Sequence, residues 1–298
     1  MTWDGPTLLY AAARWLYYSA LFVVVGAAVA RWAVIPMSPA GSAPVGRIIR
    51  TARLASVALS LAVVARLYLQ SRAMIDPGEP VTLDLVKAVL ASTWGKGWLA
   101  QGSAALVVLV GWRSMRLGES ATVRGVVMIG SLGLVMASPL TGHAVGLPAA
   151  GRLGYPLMVA HVAAGAAWLG TLGVLVLAVL GRPGGPELSQ VIGRFSALAL
   201  PAGGAAIGAG VIVAWRYLGG LDPLITTPYG RTLLIKLGLL VGVAGTGAYN
   251  WRVVLPRLKR GEDAPVRSSA TFEILVGLSL LAVTAILVSL AAPGEHSE

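Results

Sequence analysis

The sequence has three histidines, His143, His161 and His296, and no cysteine. Without thiolates, disulfides, thiolate zinc sites, iron–sulfur ligation and cysteine-based copper relays are excluded. Metal chemistry would fall to imidazole and thioether. His143 stands in Thr141-Gly142-His143-Ala144, seven residues after Met136, and His161 follows Met158 by three. Both spacings fit one side of a helix, and imidazole with thioether suits copper, Cu(I) above all. The same residues have plainer uses. Methionine fills gaps in apolar helices, and a histidine at a helix edge is solvated or closes a turn. His296 lies in a polar tail that could help to capture metal.

The elements that must position these groups follow from composition. Of the 298 residues, 56% are hydrophobic and 12% charged, against roughly 45–50% and about 25% in soluble domains. A membrane span needs about 20 mostly apolar residues, and eight such stretches can be marked: 7–35, 46–69, 94–112, 122–139, 155–181, 190–217, 231–256 and 270–292. Lipid offers the backbone no hydrogen-bond partners, so these must be helices; the alternating pattern of a β-barrel is absent. The expected fold is an all-α polytopic bundle of about eight transmembrane helices, one integral membrane domain over residues 1–298. The glycine-rich run 202–210 (AGGAAIGAG) reads as a close helix contact. A short helix is expected at 83–91, after the turn cluster IDPGEP. Residues 16–30 end in Ala-Val-Ala, like a signal-peptidase site. Asp4, a single preceding basic residue and apolar sequence continuing to Ile35 favour a retained span instead.

The net charge of +11 has a topological explanation. Fourteen of the 23 Lys and Arg residues fall in the loops after spans one, three, five and seven, six fall on the other side, and three lie within spans. Basic residues collect in cytoplasmic loops, which places both termini outside and makes nucleic acid an unnecessary partner; the lipid bilayer is the expected one. No phosphate-binding loop and no DKTG motif is present, so ATP hydrolysis is unsupported and no enzyme is expected.

Arg14, Arg66 and Lys236 are the cations within spans, all in the outer half, with Asp76, Asp84 and Asp222 the nearest acids by topology. Glu273 starts the last span near the inner face, where Arg194, Asn250 or Arg252 are better placed to meet it than Lys236. Such groups act as interhelical locks or mark a function. At 1.5 Å per residue, His161 should lie about 9 Å deep, at a height comparable with His143, so the two could share a ligand. Three uses stay open: a copper site, axial ligation of haem b with the outer cations on its propionates, or a non-transporting assembly subunit.

Several segments carry a family resemblance. His161-Val-Ala-Ala-Gly-Ala-Ala-Trp168-Leu-Gly170 resembles the H-x6-W-x-G element of the copper resistance protein D (CopD/PcoD) family. Arg194-Phe195-Ser196 is similar to its RFS element, Thr227-Pro228-Tyr229-Gly230-Arg231 through Lys236 to its T-x-YGR-x-LL-x-K segment, Asn250 with Pro256 to its N…P ending, and Phe272-Glu273 to the acidic start of its last span. The match covers nearly the whole chain, most strongly 155–293. The resemblance implies an eight-span protein of the bacterial inner (cytoplasmic) membrane that handles copper, with His161 and Trp168 the best-matched residues and His143 in a GHA-type element. It also implies a separate periplasmic CopC-like copper-binding protein as partner, since no such domain is fused to this chain.

Overall fold

The computed structural model describes residues 5–36, 38–39, 41–76, 78–116, 118–142, 151–180, 188–262 and 266–290. Among these every regular element is helical. The long helices are α1 (Gly5–Val29), α2 (Ala43–Arg72), α4 (Thr93–Ser114), α5 (Ala121–Ala137), α6 (Gly151–Gly165) with α7 (Thr171–Ala178), α8 (Leu188–Leu218), α10 (Pro228–Tyr249) with α11 (Leu255–Lys259), and α12 (Val266–Leu287). Short helices α3 (Leu83–Ala91) and α9 (Asp222–Thr226) precede α4 and α10. Each of the eight apolar stretches is thus a helix, and the short one at 83–91 is present. Seven are long and apolar enough to cross a membrane. The eighth, α4, has the length, but Lys96, Gln101 and its glycines make it less apolar.

Polar cross-links fix the antiparallel order. Arg14 Nη1 in the first half of α1 donates to Ser289 Oγ after α12 at 2.7 Å. Trp98 Nε1 donates to Val63 O at 2.7 Å, Arg47 Nε to Ala178 O at 2.6 Å, and Tyr155 Oη to Met136 O at 2.9 Å. The end of the bundle holding the start of α1, α3 and α9 is called the near face, the other the far face.

α1 is central, packing on α2, α7 and α12 and on the turn that follows α6. Where α1 crosses that turn, Gly26 lies against the backbone of Gly170 and Thr171, and Gly170 against the carbonyl of Phe22. No side chain stands between them that could yield to a methyl group. Gly170→Ala is therefore expected to force the helices apart at a cost of about 1–3 kcal/mol, read as a lower Tm in detergent. An unchanged Tm would show that the crossing is looser than its geometry.

That crossing relates two halves built alike. Each runs long helix, long helix, short helix, capped long helix, long helix. Ser92 Oγ caps α4 by accepting from Gly95 N at 3.1 Å, and Thr227 Oγ1 caps α10 by accepting from Gly230 N at 3.0 Å. Gly95 and Gly230 both let the preceding short helix fold back closely. Counting from these caps, Gln101 and Lys236 hold the same place. Nine residues before Gly26 stands Tyr17, and nine before Gly170 stands His161. The halves differ in their packing: α2 packs along α4, whereas the backbones of α8 and α10 stay apart. Two cavities occupy the space between them.

The first half is closed by a polar lock. Arg66, 1% exposed, donates from Nη1 to Gln101 Oε1 at 2.7 Å and from Nη2 to Thr141 Oγ1 at 2.8 Å. Its guanidinium lies 4.5 Å from the Tyr17 ring centroid. Gln101 Nε2 also donates to Ala137 O at 3.0 Å and to Thr141 Oγ1 at 2.9 Å. The acids expected to neutralise the in-span cations are elsewhere. Asp84 pairs with Lys87 on the surface, and Asp76 offers Arg72 its backbone carbonyl. Arg14 meets Ser289 and, at 4.2 Å, the Tyr10 ring. Neutral acceptors and aromatic faces replace carboxylates, which lets the guanidinium stay charged without a second ion in an apolar setting.

At the far face, α1 ends in a π-helical turn, Ala30–Val34. The extra residue aims Arg31 and Trp32 at Glu119 in the loop between α4 and α5. Arg31 Nη2 reaches Glu119 Oε2 at 2.8 Å and Trp32 Nε1 reaches Oε1 at 2.6 Å. Burial pushes the Glu119 pKa up, but the hydrogen bonds from Trp32 and Arg31 and the charges of Arg31 and Arg124 outweigh it, holding the group below its ordinary value. A carboxylate depressed in the folded state stabilises above its unfolded pKa, and that stability is lost as pH falls through the folded value. Glu119→Gln should cost about 1–3 kcal/mol near neutrality and flatten the acid side of a Tm-against-pH curve. Equal acid sensitivity in both proteins would discount the interaction.

Candidate functional site

The first cavity, of about 340 Å³, opens toward the near face and is bounded by α6, α8, α10 and α12. Its wall is mostly apolar, and His161 and Lys236 bring the ionisable nitrogen into it. α6 begins four residues earlier than the expected span, so His161 lies ten residues along it, about 15 Å by helical rise rather than 9 Å. His161 Nδ1 is 2.6 Å from the carbonyl of Ala206 on α8. A carbonyl only accepts, so Nδ1 carries the hydrogen, and in the neutral ring Nε2 then keeps its lone pair, the tautomer that ligates a metal.

The glycine run on α8 is the seat of this ring. A Cβ at Gly210 would lie 2.9 Å from His161 Cε1 and 3.0 Å from Nδ1, and one at Gly203 would lie 3.3 Å from the Trp168 ring. The run 202–210 is thus a close contact, and what it receives is the two aromatic rings of the H-x6-W element. In the first half Arg66 sits over Tyr17; here Gly210 faces His161, and the room is left as cavity.

Met158 lines the cavity with His161. Met136 does not; its side chain is 45% exposed on α5. The helical register linking it to His143 is interrupted by the 3₁₀ turn Ser138–Thr141, which advances more degrees per residue than an α-helix. His143 and His296 lie outside the described residues. Gly142, just before His143, lines the His161 cavity, and Arg66 and Gln101 fasten the turn that leads to it. Among the described residues no three of His, Cys, Asp and Glu gather as a metal site. Of the three in-span cations only Lys236 faces the cavity, and among the described residues no hydrogen-bond or ion-pair partner for it is found. The set of three expected to meet one ligand is therefore divided.

The second cavity, of about 260 Å³, lies toward the far face and shares Trp168 and Ile207 with the first. Glu273, 2% exposed, faces it. Asn250 Nδ2 donates to Glu273 Oε2 at 3.0 Å, and Ser269 Oγ donates to Asn250 Oδ1 at 2.6 Å. The Trp168 indole also lies close enough to interact with the carboxylate. Trp168 and Asn250 belong to π-helical turns, Ala166–Gly170 and Asn250–Val254, and such wide turns often aim side chains at functional sites. Of the partners considered for Glu273, Asn250 takes the place. Arg194 Nη1 instead reaches Val34 O at 3.4 Å, and Arg252 is an exposed residue at the cavity's rim. Sequence reasoning missed Gln101, for which a glutamine within an apolar span was the available signal; the glycine run was read as a close contact, but not as the seat of His161 and Trp168.

Among the described residues, eight long helices, seven apolar enough to span a bilayer, with histidine, lysine and glutamate facing cavities between them, define a polytopic membrane protein with polar sites inside the bundle. The chain belongs to the copper resistance protein D family. A model of the copper resistance protein D-like N-terminal domain matches residues 4–155, and a model of copper resistance protein D matches residues 189–287. Lys236, Asn250 and Glu273 lie in the second range; Met158, His161 and Trp168 lie between the two. The copper transport protein CutJ of Bacillus subtilis (strain 168) is 25% identical over 248 residues, 80% of this chain and 45% of that protein. The chain thus spans less than half the length of this relative. No solved structure matches it.

Proposed function

We propose that the protein carries copper through the cytoplasmic membrane of a bacterium, receiving it at the near face, on the periplasmic side by the charge distribution, and passing it between α6, α8, α10 and α12. The observation that carries this reading is His161: an imidazole with a free Nε2, fixed by Ala206, in a cavity that also holds Met158 and the approach to His143. His161, Met158 and His143 are the ligands, a nitrogen and sulfur set that suits Cu(I); Met136 is not included. The cavity with Glu273 lies next along the route, past Trp168. Family membership and the likeness to a copper transport protein support copper as the substrate, and a CopC-like protein would be the donor. Vesicles containing the purified protein should take up Cu(I) faster than empty vesicles. Uptake no faster than in empty vesicles would overturn the proposal, and a Soret band in the purified protein would turn the same histidines toward haem b.

A further inference from the structure

The partners of the Glu273 carboxyl, the Asn250 amide and the Trp168 indole, are both neutral. The carboxyl is buried in the membrane part of the bundle, and among the described residues no cation pairs with it. The surroundings can be stated element by element. From α10 and its π-helical turn come Asn250, neutral, and Arg252, an exposed residue at the cavity rim whose guanidinium lies 5.7 Å from the Trp251 ring centroid. From the turn after α6 comes Trp168. α7 carries no ionisable residue. On α1 and the π-helical turn that follows it the cations are engaged elsewhere, Arg14 on Ser289 and Arg31 on Glu119. α8 lines the cavity with Phe195, Ser196 and small or apolar residues. A carboxylate in such a place accepts N–H hydrogen bonds from neutral groups but has no cation to offset its desolvation, and that desolvation is far more costly for the ion than for the carboxylic acid. The described part of the first half has no acid inside a long helix, so Glu273 is peculiar to the half that holds the cavities.

We propose that Glu273 exchanges a proton against copper: the carboxyl holds a proton while the second cavity is empty, and releases it when the copper ion moves past Trp168 and faces the carboxylate. One positive charge replaces another, so the apolar cavity never holds an unbalanced carboxylate. Transport is then an exchange, with a proton leaving as copper enters. This rests on copper being the substrate, and the test separates the two claims.

Purified protein in vesicles with an entrapped pH dye, and the membrane potential clamped, is given Cu(I) outside. The expected result is copper uptake with alkalinisation of the interior. Glu273→Gln, which keeps the acceptor for Asn250, should lose the alkalinisation while copper binding at His161 stays within about twofold. Glu273→Asp should keep both. A second reading needs no transport: the infrared band of a protonated carboxyl, identified by its loss in Glu273→Gln, should weaken when Cu(I) is added. Copper uptake without a pH change, or alkalinisation that survives in Glu273→Gln, overturns the exchange. An infrared response without copper uptake sustains proton release by Glu273 on copper binding and overturns transport.

Discussion

His161→Ala is expected to weaken Cu(I) binding by about 100-fold or more, because loss of groups that merely orient a metal ligand already costs 10–100-fold. The substitution removes the imidazole that offers a free nitrogen lone pair to the cavity. Copper uptake should fall to the level of empty vesicles. Gly210→Ala gives a graded comparison. It leaves the imidazole in place, but the added methyl would lie 2.9 Å from Cε1. The ring must then tilt or slide away from Ala206 O, and a loss of about tenfold is expected. Titration of both variants with a competing Cu(I) chelator checks the order. Parent-like affinity in His161→Ala would remove this residue from the copper site, whatever the fate of the family assignment.

Gln101→Ala should be the most damaging substitution for stability, at about 3–5 kcal/mol. It removes the oxygen on which Arg66 Nη1 rests and the amide that ties the Ser138–Thr141 turn to α4. Arg66 would stay buried and charged, with Thr141 and the Tyr17 ring as its remaining support. Arg66→Met should cost less, because it removes the charge together with its need for partners and fills the space with an apolar chain. Thermal unfolding in detergent tests the order of the two. A greater loss in Arg66→Met would show that the cation itself, rather than its satisfaction, holds α2 to α4. The lock also fastens the turn leading to His143, so a weakened lock should blunt copper affinity as well.

Much of the architecture is legible in the sequence, because membrane helices are set by local rules. A long apolar stretch has to satisfy its own backbone, so the eight stretches appear as helices within a few residues of their expected ends. The scarcity of polar groups made His161, Arg66, Lys236 and Glu273 conspicuous, and an intramembrane glutamate near the far face was expected to meet Arg194, Asn250 or Arg252 rather than Lys236; of the three it meets Asn250. The corner Thr227-Pro228-Tyr229-Gly230 also reads locally, as a cap, a helix-starting proline and a glycine that admits α9.

Partners across helices were a different matter. Topology suggested acids for Arg14 and Arg66, and the structure supplies a hydroxyl, an amide and aromatic rings. Met136 and Met158 were equivalent by spacing, yet only Met158 faces the cavity. Such outcomes depend on the rotation of each helix about its axis, which a 3₁₀ turn or a π-helical turn shifts by tens of degrees and which packing against the neighbours then fixes. Sequence by itself determined that this chain is a helical membrane bundle with very few places for chemistry. Only the tertiary structure decided that α8 and α10 stand apart, that glycines seat His161 and Trp168, and that the histidine and glutamate face adjoining cavities. Burial of apolar surface selects helices without regard to their orientation, whereas a site requires particular side chains to converge, and convergence is a property of packing.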